Sequence, residues 1–114
     1  KVDKSEATID WRQPADQIAR RVRAFDPAPG ASFECGGEVV KLWQAAVVPG
    51  QAAEPGRVLA ADAQQLVVAC GDGALRLEVL QRPGGKRLPV AAFLQARPGL
   101  AGQTLPLPPL TAGN

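Results

Sequence analysis

The chain has 114 residues, a formal net charge of +2, 46% hydrophobic but only 4% aromatic residues, two cysteines and no histidine. That length is enough for one domain with its own core and no disulfide or metal staples. No apolar run is long enough to span a bilayer and Lys1 opens no signal-peptide pattern, and a cytoplasmic location is expected.

The missing initiator methionine is expected of a fragment or a processed piece. Cys35 and Cys70, far apart in a chain without a secretory signal, read as reduced, buried thiols. The charge is unevenly spread. Residues 1–25 carry six basic and four acidic side chains, residues 26–78 three and seven, and residues 79–114 four and none. If the fold brings the two ends together, one side is positive and able to hold phosphates; ordinary solvated surface charge is the competing reading.

Asp3 and Glu6 have the spacing of a capping box, with Lys1 and Lys4 at its rim. Ile9 and Trp11 alternate around Asp10, which favours Trp11 as a core plug over a base-stacking surface. Pro14 then opens a helix predicted over residues 14–25. Ala15, Ile18, Ala19, Val22 and Phe25 share one face of it, and Asp16, Arg20 and Arg23 the other. Asp16 stands one turn before Arg20, reason enough for that arginine. For Arg23, bonding to the free carbonyls of the helix end rivals phosphate binding. Pro27, Pro29 and Gly30 force a corner after the helix.

Strands are predicted from there to residue 81. Residues 32–35 and 38–48 flank Gly36-Gly37, a pair suited to a two-residue hairpin turn. In the longer strand Val40, Leu42, Gln44 and Ala46 alternate with Val39, Lys41, Trp43, Ala45 and Val47; apolar residues on both faces imply a bend shared by two sheet surfaces. A Pro, Gly and Ala loop over 49–56 leads to an antiparallel pair at 57–61 and 66–70. Gly71-Asp72-Gly73 then turns the chain into 74–81. The glycine pair opens no helix, so a hairpin turn is favoured over a phosphate loop.

Residues 82–87, RPGGKR, form a basic loop whose glycines let the backbone approach a ligand, with Lys86 and Arg87 as adjacent cations; a solvated loop is the alternative. Pro89 opens a short helix over 89–95 with Val90, Phe93 and Leu94 on one face. Residues 97–114 shift to Gly, Pro, Leu and Thr and are expected as an extended or frayed tail. The fold class predicted is mainly β with flanking helices, a small antiparallel β-barrel occupying residues 1–96.

Several of these pieces, in this order, resemble the C-terminal domain of methionyl-tRNA formyltransferases. They are Lys4, Glu6 and Ala7, then Ile9-Asp10-Trp11, the helix begun by Pro14, the RAFDPAPGA run at 23–31, a glycine-led strand at 55–59, ACGDG at 69–73 and GKR at 85–87. The family usually has Asn and Trp where this chain has Asp26 and Ala28, so the corner loses an aromatic and gains an acid, which weighs against a ligand role there. The resemblance implies an OB-like barrel. It also implies a whole enzyme that moves a formyl group from 10-formyltetrahydrofolate to the amino group of methionyl-initiator tRNA. The catalytic residues and the donor site would belong to an N-terminal nucleotide-fold domain, absent from this chain.

No cofactor, metal or catalytic residue is expected in the chain itself: it has no histidine and no nucleophile beside a base. The work expected of it is to grip the tRNA backbone, as a monomer, through Lys1, Lys4, Arg20, Arg23, Arg82, Lys86 and Arg87. In the family, Lys1 and Lys4 would lie where the interdomain linker enters; plain solvated lysine is the alternative. The domain of another folate-dependent formyltransferase, such as one acting on a sugar nucleotide, and a structural or protein-binding barrel are the competing functions.

Overall fold

A computed structural model describes residues 8–26, 30–50, 53–62, 65–97 and 99–107. The capping-box turn expected at 3–6 and the prolines of the corner lie outside these residues. Helix α1 spans Ala15–Ala24, β1 Ala31–Cys35, β2 Glu38–Val48, β3 Val58–Ala61, β4 Leu66–Ala69, β5 Ala74–Gln81, β6 Arg87–Pro89 and α2 Val90–Ala96. Among the described residues no helix is long and apolar enough to cross a membrane.

Both helices begin just after a proline. Pro14 and Pro89 keep extended backbone (ψ 146° and 154°) and stand as N-caps, one position outside the helices they were expected to start. The carbonyl of Pro14 accepts from Gln17 and Ile18, both at 3.1 Å. Ala15, Ile18, Ala19 and Val22 bury the predicted face of α1. In α2 Phe93 is fully buried, and Val90 and Leu94 pack partly buried against the core.

The strands form one antiparallel sheet in the order β1-β2-β5-β4-β3, with β6 also paired to β5. Hairpins account for most of this order. Gly36 and Gly37, at φ 59° and 84°, turn β1 into β2, and Cys70 N–H bonds the Gly73 carbonyl at 3.1 Å where β4 turns into β5. Among the described residues β1 and β3 do not pair with each other, so the mainly β architecture with flanking helices is present as a bent, open sheet, and the small barrel of the sequence reading is not closed. The strands at the two ends of this order, β1 and β3, are partly occupied by the chain's own flanking segments. Ile9 N–H donates to the Ser32 carbonyl at 2.6 Å beside β1. At β3, Val58 N–H donates to the Gln103 carbonyl at 2.7 Å and the Val58 carbonyl accepts from Gly102 N–H at 3.1 Å.

Two further differences have local causes. The pairing of β2 on β5 is interrupted between Leu42 and Ala45, where Trp43 on β2 and Glu78 on β5 are each passed over; the two shifts cancel, so Leu42 opposite Leu80 and Ala45 opposite Leu77 keep one register. An extra residue within a strand shifts the phase of its in-and-out alternation from that point on. Val40, Leu42 and Trp43 are therefore buried, Gln44 is exposed, and Ala45 rather than Gln44 packs toward the core. Residues 99–107, expected as extended or frayed tail, are irregular but docked, and bury Leu100 and Leu105 in the core.

Trp11 sits in the centre of that core, fully buried and edge-on to Phe33 at 5.5 Å between ring centroids. The two thiols are buried and unlinked. Burial raises the pKa of Cys35 and pushes that of Cys70 up to about 12, so both stay protonated at neutral pH.

Candidate nucleic-acid interface

The basic loop between β5 and β6 is fixed by contacts from three directions. Gly85 N–H bonds the Arg82 carbonyl at 2.9 Å, a tight turn allowed by Gly84 at φ 73°. Gln81, the last residue of β5, donates to the Gly85 carbonyl at 2.8 Å and accepts from Trp43 Nε1 at 2.8 Å. Arg87 lies over the Trp43 ring, 3.8 Å from its centroid, and donates to Asp26 Oδ1 at 3.0 Å. Lys41 Nζ approaches the same ring at 5.9 Å. Gly30, at φ 84°, lets the chain leave the corner against this indole: a Cβ there would lie 2.9 Å from Trp43 Cη2.

Beside the loop, Arg82 makes a forked pair with Glu38, at 2.9 and 3.1 Å from one guanidinium nitrogen. Arg97 reaches the same carboxylate and also bonds the Gly36 carbonyl at 3.3 Å. Hydrogen bonds from Arg82 and then Arg97 hold the Glu38 carboxyl below its ordinary pKa, and Glu38 in turn raises that of Arg82. Val39, Lys41, Gln81, Arg82, Pro83 and Gly84 line a shallow groove of about 130 Å³. Five cations (Lys41, Arg82, Lys86, Arg87 and Arg97) thus gather against two carboxylates (Asp26 and Glu38).

The sequence candidates separate into three groups. Arg82, Lys86 and Arg87 come together in the loop, but both arginines carry an acid partner that the sequence reading did not assign. Arg23 is exposed in the last turn of α1, three residues before the Asp26 that holds Arg87, so that helix end adjoins the loop. Arg20 pairs with Asp16 at 3.5 Å on the outer face of α1. Lys1 and Lys4 lie outside the described residues. Among those described, Arg23 and Lys86 enter no ion pair. Lys41, Trp43, Gln81 and Arg97 were missed; the only sign of Arg97 was its place in the acid-free segment 79–114. Trp43 is 5% exposed and already faced by Arg87, so it offers no platform to a base. No three His, Cys, Asp or Glu side chains gather as metal ligands among the described residues.

Residues 1–98 match the family described as formyl transferase, C-terminal domain. The chain belongs to this family. Among its relatives, the methionyl-tRNA formyltransferase of Methylibium petroleiphilum is 58% identical over 106 residues, covering 92% of this chain and 33% of that protein. That of Paraburkholderia phymatum is 53% identical over 108 residues, covering 94% and 33%. The chain therefore spans about a third of the length of the curated relatives it matches. Among solved structures, HypX from Aquifex aeolicus in complex with tetrahydrofolic acid superposes with a TM-score of 0.71 at 27% identity, over 90% of this chain and 19% of that one.

Proposed function

We propose that this formyltransferase C-terminal domain holds methionyl-initiator tRNA for a methionyl-tRNA formyltransferase working in the bacterial cytoplasm. An N-terminal domain of the whole protein would bind 10-formyltetrahydrofolate and transfer its formyl group to the methionyl amine. The observation that carries the reading is the gathering of Lys41, Arg82, Lys86 and Arg87 at one end of the sheet, next to the exposed Arg23. Identities of 53% and 58% to named methionyl-tRNA formyltransferases, against 27% to HypX, favour methionyl-tRNA over another acceptor. The bent β2 supports reading the sheet as an incomplete OB-like barrel with this loop on its rim.

Binding of this kind is geometric. Cations meet phosphate oxygens with little base reading, and contact made away from the reacting amine is used to orient it. The test is tRNA binding by the full-length protein at 50 and 200 mM KCl, in the parent and in Arg23→Ala/Lys86→Ala. Affinity should fall steeply with salt, and the double variant should lower the slope of log affinity against log salt by about 2. A salt-independent affinity, or an unchanged slope in the variant, refutes the reading.

A further inference from the structure

Lys86 is exposed and enters no ion pair among the described residues, yet the residues on either side of it are not free to move. On one side the Gly85 carbonyl is held by Gln81, whose other amide atom is held by the indole N–H of Trp43, each at 2.8 Å. On the other side Arg87 rests 3.8 Å above the ring of the same tryptophan and is pinned to Asp26 at 3.0 Å. Trp43 reaches this place because it is the extra residue of the β2 bulge, which turns a side chain out of the strand's alternation. One buried indole therefore clamps both neighbours of Lys86.

The chemistry of the cluster separates two jobs. Arg82 and Arg87, whose planar forks suit carboxylates, are already matched with Glu38 and Asp26. Lys86 is left as a compact point charge on a loop containing two consecutive glycines, which would sample many conformations if untied. Ordering such a loop before binding removes an entropic cost that binding would otherwise bear.

We propose that Trp43 and Gln81 are positioning residues that present Lys86 to a backbone phosphate of the bound RNA. The proposal rests on the RNA-holding reading above. Its test is a double-variant cycle in the full-length protein, with tRNA affinity measured across a salt series. Lys86→Ala in the parent should weaken binding roughly three- to ten-fold and lower the salt slope by about 1. Gln81→Met cuts both amide bonds while leaving Arg87 on the ring, and should weaken binding by a similar factor. In the Gln81→Met background Lys86→Ala should then cost less than about two-fold, because a wandering lysine has little contact left to lose. Amide hydrogen exchange at Gly85 and Lys86 should speed up in Gln81→Met, with the thermal midpoint held within a few degrees. If that variant does not fold, Trp43→Phe, which replaces the indole with a smaller aromatic ring and loses the N–H donor, takes its place in the cycle. Additive losses overturn the positioning role and leave the RNA reading standing. A Lys86→Ala protein with unchanged affinity and slope overturns the proposal, and a salt-independent parent overturns the reading beneath it.

Discussion

Gly71→Ala tests how the β4–β5 turn is attached to the start of α1. The turn lies against residues 12–15: Gly71 N–H donates to the Gln13 carbonyl at 3.0 Å, and Ala15 N–H to the Asp72 carbonyl at 2.9 Å. Gly71 has no positive φ, so an alanine there suffers no backbone strain of its own. Its Cβ would, however, stand 1.9 Å from the Arg12 carbonyl oxygen and 2.7 Å from the carbon behind it. Ordinary contact needs the two backbones to part by roughly 1.5 Å, enough to break both hydrogen bonds. At about 1 kcal/mol net per bond plus the disturbed packing around Ala15, the loss is about 2–3 kcal/mol. For a domain of this size that lowers the thermal midpoint by roughly 10–20 °C. Urea titration followed by the fluorescence of buried Trp11, beside the turn's docking site, measures it. Gly85→Ala is the control: that glycine also lacks positive φ and meets only the Arg82 carbonyl oxygen at 3.3 Å, so its change should stay within about 1 kcal/mol. Equal, small effects at the two positions would refute the docking argument.

Two other outcomes are expected. The Cys70 thiol, raised to about 12 by burial, stabilises the fold fully below the ordinary thiol pKa of 9.0, and that contribution is lost as pH rises toward 12. Thermal midpoints above pH 9 should therefore fall less steeply in Cys70→Ala than in the parent, by up to about 1.4 kcal/mol per pH unit; identical slopes would count against a buried thiol. Leu105→Ala, in the docked segment, should cost about 2–3 kcal/mol in chemical denaturation, and the more exposed Leu107→Ala under about 1 kcal/mol. Similar costs would mean that 99–107 adds little to the core.

The extent of the main strands was readable from the sequence, and residues 74–81 coincide with β5, although its alternation changes phase after Leu77 so that Leu80 rather than Val79 is fully buried. So was the Gly36-Gly37 turn, because only a backbone tolerant of positive φ closes so short a hairpin. β6 was not, since three residues ending in proline have no period to detect. Nor does alternation in a sequence reveal where its phase slips, so the burial of both Leu42 and Trp43 came only with the paired strand. The basic loop was plain in RPGGKR, whereas the partners of Arg82 and Arg87 lie 44 and 61 positions away and no local pattern points to them. The glycine at 71 was legible as a turn residue, but its need for a missing side chain comes from a segment far upstream.

The segments laid against β1 and β3 bear on how a neighbouring body joins this one. A strand with vacant N–H and carbonyl groups invites another chain to extend the sheet, and aggregation starts in the same way. Here residue 9 holds the carbonyl of Ser32, and residues 102–105 take backbone positions along Gly56 and Val58. Along these stretches the chain itself takes up the main-chain groups through which a foreign strand would pair. Truncating the chain ahead of residue 99 would uncover β3 and turn a guarded margin into an adhesive one.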